Sequence, residues 1–555
     1  MALQLILGSA GSGKSHYIYE KIIRESMEKP TENFLILVPD QFTMQTQIEM
    51  ASRHPRKGLL NIDVSSFTRL AHRLFMETGY QVPPVLEDMG KTMVLKRVAQ
   101  KKKDELHVLG RKMQRPGYIR EAKSMLSEFM QYDVSPGDLE NIGQSINGNT
   151  LLREKLKDME ILYRGFEEFL SEHYVTSEEI LDLLCRVIPL SSSMKGTTVV
   201  LDGFTGFTPI QNRLIGALLR HCPQVYITLT LDDGEDPFGK CSMHRLSYMT
   251  KKTIRSLCQL AREEKVFVDE PVRISDSDRD RYGEREDLRF LKKQLFRFER
   301  KVFADEPKHI QTFTCDNPAK EMEEVSRRIS RLVREKEYRY RDIAVITGDL
   351  ETYGGEARQA FEKAGIPCFV DSRRTVLSNP LAEAIRAILD MESSSFSYES
   401  VFRYLRSGIS DLTEAEIDEL ENYCLALGIK GRKTWENRFF AHSQYMDPAR
   451  VPVMEALRLR IMEKIGPFTE AMHAKDRTVG SCCRALYDLL VSLHAQQQME
   501  GKRQQFEQRG ELVLAREYAQ MYRSVMDLMD KMVEILGDEP ISLRDFAQLM
   551  DEGLS

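Results

Sequence analysis

Near the start of the chain, Gly8-Ser9-Ala10-Gly11-Ser12-Gly13-Lys14-Ser15 sets glycines, a lysine and a hydroxyl at the spacing GxxxxGK[ST]. Each residue type there has a physical task in holding a phosphate chain. Glycines let successive backbone N–H groups turn inward around the phosphates, and a helix start behind them adds a favourable field. Lys14 would reach the β- and γ-phosphates, and the Ser15 hydroxyl would ligate Mg²⁺. The expected ligand is ATP with Mg²⁺, bound by Gly8 through Ser15. Such a loop must join a strand to a helix, and both are legible. Leu3 to Leu7 is a short apolar run suited to a buried parallel strand, and Ile18, Ile22 and Ile23 follow at amphipathic helical spacing.

Phosphate binding leaves hydrolysis open, because hydrolysis also needs an acidic strand end for the metal and a carboxylate to activate water. The best strand is Thr197-Thr198-Val199-Val200-Leu201-Asp202, and Asp202 joins Ser15 as an expected metal-site residue. The next residue is Gly203, so no base stands where one is needed, and no catalytic residue is assigned. Thr208 with Pro209 reads as an N-cap and first helical position, opening a helix with Ile210, Leu214, Ile215 and Leu218 inward.

Among the elements that must carry these groups, strands with helical crossovers in residues 1–80 and 197–231 predict a doubly wound α/β lobe. The expected division is a first lobe over 1–84 and 191–305, a helical insertion over 85–190, the start of a second α/β lobe over 306–380, and a helical insertion of that second lobe over 381–555. Residues 271–287 are polar and charge-dense, as a surface linker would be. The second lobe shows only about three strand-like runs, near Ile310–Phe313, Ile343–Thr347 and Cys368–Val370, so it is expected to be incomplete here and the chain part of a longer one. Ser542 to Asp545 reads as a helix start and Gly553 as a helix stop. Trp435, the only tryptophan, reads as core.

Composition narrows the class. The chain of 555 residues carries 79 basic and 85 acidic side chains, a net charge of −6, so any nucleic-acid contact must come from local patches. No run of 18 apolar residues exists, and the apolar start runs into glycines and a lysine, so neither a membrane span nor a secretory leader is expected. Nine scattered cysteines without a CxxC pair fit a reducing cytoplasm.

Longer strings carry a resemblance. The phosphate loop, then Leu37-Val38-Pro39-Asp40-Gln41-Phe42-Thr43, then Val64-Ser65-Ser66-Phe67-Thr68-Arg69-Leu70-Ala71-His72-Arg73-Leu74, then Leu201-Asp202-Gly203-Phe204-Thr205-Gly206-Phe207-Thr208-Pro209 resemble the AddB subunits of bacterial AddAB-type helicase–nucleases. The likeness continues through Tyr340 to Ile346 and Gly365 to Asp371. It implies P-loop NTPase (RecA-like) lobes of the UvrD-like superfamily 1 helicase type, each with a helical insertion. It also implies a motor subunit of the AddA type as heterodimeric partner, single- and double-stranded DNA as substrates, and work in double-strand-break processing for recombination. In that family a nuclease domain with an iron–sulfur cluster follows later in sequence, and no nuclease or cluster residue is assigned here. The motor itself reads as lost. Asp202-Gly203 replaces the Asp-Glu pair of active motors, seven residues before Gly8 leave no upstream adenine-reading glutamine, Asp232-Asp233-Gly234-Glu235 stands at the phosphate-sensing position, and Gly348 stands where a motor has arginine. A self-sufficient ATPase or helicase, and a scaffold with a vestigial nucleotide site, are the competing readings.

Two further features bear on DNA. Residues 91–120 hold ten basic side chains (Lys91, Lys96, Arg97, Lys101, Lys102, Lys103, Arg111, Lys112, Arg115 and Arg120) against Asp104 and Glu105, a local net of +8. Such a run is either a solvated face or a DNA-backbone patch. Phe67, Arg69 and His72 open an amphipathic stretch, and Gln41, Thr43 and Phe207 lie on equivalent strand-end loops. The plainer reading makes Phe67 and Leu70 core and leaves Arg69 in solvent. The resemblance places these loops in the channel that reads the regulatory Chi sequence, with rings and guanidinium planes stacking on bases and Gln41 pairing with a base edge. His72 stands where the family commonly has a bulkier aromatic ring.

Overall fold

Ala2–Gly8 (β1) contains no charged residue, and its alternation sends Leu3, Leu5 and Leu7 to one face and Ile6 to the other. Burying both faces is what a central parallel strand requires, and each fully buried leucine or isoleucine contributes roughly 1.5–3 kcal/mol. The computed structural model describes residues 1–110, 112–146, 148–275, 282–297, 301–371, 379–440 and 448–554. β1 lies in a seven-stranded, wholly parallel sheet with Phe34–Leu37 (β2), Ile62–Ser65 (β3), Thr198–Leu201 (β6), Gln224–Thr230 (β7), Phe267–Val268 (β8) and Val272–Ile274 (β9). The strand order is β3-β2-β6-β7-β1-β8, with β9 also pairing β1. Val85–Leu86 (β4) and Val175–Thr176 (β5) form a separate parallel pair at the two ends of the helical insertion.

Helices cover both faces of the large sheet. Lys14–Glu28 (α1) and Thr43–Arg53 (α2) pack Ile18, Ile22, Ile23 and Met50 against Ile6, Ile36 and Val200. Phe67–Thr78 (α3) and, further on, Glu179–Val187 (α8), Pro209–His221 (α9) and Tyr248–Glu263 (α10) cover the opposite face, around Leu5, Leu35, Val199 and Ile227. Between α3 and α8, the expected helical insertion comprises Asp88–Lys101 (α4), Pro116–Gln131 (α5), Pro136–Ser145 (α6) and Thr150–His173 (α7). The expected cap at Thr208 is present: its hydroxyl accepts from the Gln211 N–H, the Gln211 side chain accepts from the Thr208 N–H, and Pro209 occupies the first helical position.

Residues Tyr282–Ser378 form a second compact unit. Glu286–Gln294 (α11) is followed by Pro318–Lys336 (α12) and Leu350–Lys363 (α13), which bury Met322, Ile329, Ala360, Phe361 and Ile366 together. The three strand-like runs expected here form no strands among the described residues, and Ile346 and Phe369 are exposed. A strand exists only as a pair, since its N–H and C=O groups need a neighbouring backbone. An apolar pattern is legible in sequence; the partner that would pair with it is not. Of the charge-dense linker, residues 276–281 lie outside the described residues.

The C-terminal helices are Pro380–Ser393 (α14), Tyr398–Leu405 (α15), Glu414–Leu427 (α16), Arg432–Glu436 (α17), Val451–Met472 (α18), Val479–Ser492 (α19), Ala495–Gln508 (α20), Leu512–Leu536 (α21) and Leu543–Leu554 (α22). They form one compact unit with residues 1–281, rather than a unit with 306–380. The joint is polar as well as apolar: Arg97 of α4 donates to the Ile535 carbonyl at 2.9 Å and pairs with Glu539 at 2.9 Å, and Lys531 pairs with Glu87. Trp435 is core, as expected. Ser542 caps α22, accepting from the Asp545 N–H at 3.1 Å. Gly553 departs from its expected role as a helix stop. It lies inside α22, where an added Cβ would come within 2.5 Å of Leu528, so glycine serves close helix packing there. No helix among the described residues is long and apolar enough to cross a membrane.

Candidate nucleotide-binding site

The connection from β1 leads to α1 on one face of the sheet, whereas the connection from its neighbour β7 leads to α10 on the other. Divergence of that kind opens a crevice at the carboxyl ends of the strands, where open α/β sheets take ligands. Gly8 to Gly13 form the turn at this point. Gly11 and Gly13 adopt φ of 76° and 98°, left-handed values that suit glycine. At Gly8 the restriction is steric: a Cβ would lie 2.5 Å from Ser12 Oγ and 2.8 Å from the Ile274 carbonyl oxygen. The Ser12 N–H closes the turn on the Ser9 carbonyl at 3.2 Å, and α1 starts at Lys14.

The polar groups of the loop converge. Lys14 Nζ donates to the carbonyls of Gly8 at 3.0 Å and Ser9 at 2.8 Å, curling back over the loop. Ser9 and Ser12 are buried, Ser12 Oγ has no hydrogen-bond partner, Ser15 is half-buried in the first turn, and Ala10 and Gly11 are exposed at the rim. A glycine-shaped cradle with a lysine at its mouth and an orphaned hydroxyl in its floor fits a polyphosphate.

The metal half of the site fits less well. Asp202, 4% exposed, follows β6 and points to the α1 face, where both carboxylate oxygens are taken. Tyr19 of α1 donates its phenol to Oδ2 at 2.7 Å, and Thr228 of β7 donates its hydroxyl to Oδ1. Burial, reinforced by the Asp202 charge, pushes the Tyr19 phenol far above its ordinary range, so it stays a donor. Ser15 lies half-buried in the first turn of α1; Asp202, as held here, is spent inside the protein. Gly203, at φ 80°, turns the chain away beside Pro39 and supplies no base. At the end of β7, Glu235 is likewise engaged, accepting from Ser247 and pairing with Lys251 at 2.6 Å. Tyr19 and Thr228 escaped sequence reasoning. Their signals were faint: a tyrosine five positions after Lys14, and a threonine on the alternation that puts Tyr226 on the α1 face.

The candidate DNA residues divide by burial. They sit at the carboxyl ends of β3, β2 and β6, three adjacent strands beyond β7 from the phosphate loop. Gln41, in the 3₁₀ turn Asp40–Phe42, is exposed, as are Arg69 and His72 on α3. Phe67 is core at 7% exposure, its ring 5.2 Å from that of Phe204, which lies 5.3 Å from half-buried Phe207. Thr43 is buried and turns its hydroxyl onto the Asp40 carbonyl at 2.9 Å. The three rings therefore form a tilted cluster packed on the core, while Gln41, Arg69 and His72 stay exposed. The basic segment is dispersed too. Lys91 is buried against Glu178 at 2.8 Å, Arg97 is tied to the C-terminal helices, Lys102 pairs with Glu105, and Arg111 lies outside the described residues.

A family model described as "ADDB, N-terminal" matches residues 5–292. The chain is 38% identical to the B-type subunit of an ATP-dependent helicase/deoxyribonuclease from Lachnoclostridium phytofermentans, over 100% of this chain and 49% of that protein. It is 34% identical to the protein of that name from Caldanaerobacter subterraneus, over 100% of this chain and 48% of the relative. For the Clostridioides difficile protein the identity is 33%, again over 100% of this chain and 48% of the relative. The chain thus spans about half the length of the curated relatives it matches. With the fold, the loop and these matches in agreement, the chain belongs to the AddB family, to whose N-terminal region it corresponds.

Proposed function

We propose that this chain is the motor-inactivated, helicase-like part of a subunit of a heterodimeric, ATP-dependent DNA helicase/exonuclease. In this reading its large sheet is a RecA-like lobe of the UvrD-like type, holding ATP at Gly8 to Ser15 without turning it over. The observation that carries the reading is the closed Asp202. A carboxylate tied to Tyr19 and Thr228 and followed by Gly203 provides neither a free metal ligand nor a water-activating base. Losing a general base alone costs about 10²–10⁴-fold in rate. When bound, Mg²⁺ would neutralise phosphate charge; among these residues Ser15 would hold it, and Lys14 would leave the carbonyls of Gly8 and Ser9 for the phosphates.

The same reading makes residues 306–380 the start of a second RecA-like lobe and pairs the chain with a motor subunit of the AddA type in the cytoplasm. In this reading nuclease chemistry and an iron–sulfur cluster belong to other parts of such a subunit, and none of the residues here is assigned to them. Its DNA work is to scan one strand for Chi, with the exposed Gln41, Arg69 and His72 reaching the bases and the Phe67, Phe204 and Phe207 rings packed within the protein. Stacking is sequence-tolerant, whereas a bidentate contact from a glutamine discriminates by roughly 1–3 kcal/mol.

Calorimetric titration with ATP, beside steady-state turnover with single-stranded DNA, tests the nucleotide reading. Binding lost in Lys14→Ala with no turnover in either protein is the expected result. DNA-stimulated hydrolysis above the Lys14→Ala background contradicts the inactivated motor, and absence of any nucleotide binding leaves the loop vestigial.

A further inference from the structure

The helical insertion and the C-terminal helices enclose a cleft of about 860 Å³ within the first unit, on elements separate from the phosphate loop. From α4 and the segment after it come Lys96, Lys103 and Arg115; from the far end of the chain come Lys475, Arg477 and Arg544. Arg97 also lines it, against only Glu539 and Asp545, a net of 7 − 2 = +5 in a chain of net −6. Sequence reading saw half of this cluster, because its two halves lie more than 350 residues apart.

The internal accounts of these cations differ. Arg97 is spent on Glu539, and Arg477 on the carbonyls of Ile541, Met472 and Ala474. Lys96 is held less closely: its Nζ is buried without a hydrogen-bond partner, paired with Asp545 only at 4.0 Å and influenced by the charge of Glu552. Burial draws its proton affinity down, so an anion arriving in the cleft would restore it. Lys103, Arg115, Lys475 and Arg544 are exposed and form no ion pair among the described residues. No aromatic side chain is among the described lining residues, so the cleft offers charge without a surface for stacking bases.

We propose that this cleft binds the phosphodiester backbone of DNA, independently of sequence, as a second nucleic-acid site distinct from the strand-end loops. Cations on two walls, no ring to read a base, and a volume beyond that of a single phosphate together fit a tracked backbone. The choice of DNA among polyanions rests on the function proposed above; the charge geometry does not. Each phosphate neutralised releases counterions, which makes binding steeply salt-dependent.

The test is fluorescence anisotropy of the full chain with mixed-sequence single-stranded and duplex oligonucleotides across a salt series. The variant is Lys103→Ala/Lys475→Ala/Arg544→Ala, with Lys102→Ala beside it and a thermal melt to verify folding. The triple variant should lose about tenfold or more in affinity for every sequence, and its salt slope should fall by about 2–3, at 0.7–0.9 per contact. Comparison of the two oligonucleotides tells which form of DNA the cleft takes. Lys102→Ala, whose ammonium pairs with Glu105 outside the cleft, should retain this general binding, so that loss in the triple variant belongs to the cleft and not to the removal of any lysine. Unchanged affinity and slope in the triple variant overturns the proposal, as does a wild-type chain that binds neither oligonucleotide. Tripolyphosphate binding as tight as an oligonucleotide, and lost in the triple variant, makes this a small-anion pocket and overturns it equally.

Discussion

Tyr19 Oη lies 2.7 Å from Asp202 Oδ2, joining the second turn of α1 to the end of β6 behind the phosphate loop. With Thr228 on the other oxygen, the buried carboxylate accepts from two hydroxyl donors. The pair thereby stabilises the sheet–helix contact and withdraws the acid from chemistry.

Tyr19→Phe removes one donor and leaves a buried carboxylate under-satisfied, so stability should drop by about 1–3 kcal/mol in urea unfolding. It also uncovers Oδ2. ATP affinity of the wild type should respond little to Mg²⁺ removal by chelation, and the variant should become more Mg²⁺-dependent. Equal stability, with no change in metal response, would show that the hydrogen bond carries neither role.

Gly8→Ala drives a methyl group into Ser12 Oγ and the Ile274 carbonyl. Backbone cannot yield as a side-chain tip can, so the loop must shift, at about 1–3 kcal/mol. Nucleotide binding should weaken beyond detection while the far edge of the sheet, reported by hydrogen exchange in β2 and β3, stays protected. Wild-type ATP affinity would refute the tight-cradle account.

Phe67 and Arg69 are two residues apart and should behave oppositely. Phe67→Ala opens a cavity beside Phe204 and should cost about 3–5 kcal/mol. Arg69→Ala touches no core and should alter stability by less than about 0.5 kcal/mol, while abolishing Chi response in a reconstituted heterodimer. A stable Phe67→Ala protein with lost Chi response would return the ring to the DNA.

Glu77 provides a pH test of the fold. Burial works against its charge, but hydrogen bonds from Ser193, Ser191 and Ser192 outweigh it and bring the carboxyl from 4.5 to about 2. A folded-state value below the unfolded one contributes stability that is complete above pH about 4.5 and is lost as pH falls towards 2. The Tm gap between wild type and Glu77→Gln should therefore be constant from pH 7 to about 5 and shrink below that. A gap independent of pH down to 3.5 would mean that the serine cluster does not hold the charge.

What the residues determine alone is what is local. The glycine spacing of the phosphate loop, the alternation of β1 and the capping box at Thr208 each depend on neighbours within a few positions, and each is where pattern and propensity put it. Burial of Phe67 was legible as the plainer of two readings, because amphipathic spacing states which side of α3 is apolar. Other features depend on what meets what across the chain. Asp202 reads as a metal ligand until Tyr19, 183 positions earlier, is folded against it. Residues 91–120 read as one basic run until burial pairs Lys91 with Glu178 and joins Lys96 and Lys103 to Lys475 and Arg544. The apolar runs of residues 310–370 read as strands, yet strand formation is a property of two backbones and cannot be read from one. Tertiary structure decided those outcomes because hydrogen bonding and desolvation act on distance in space, which sequence separation does not encode.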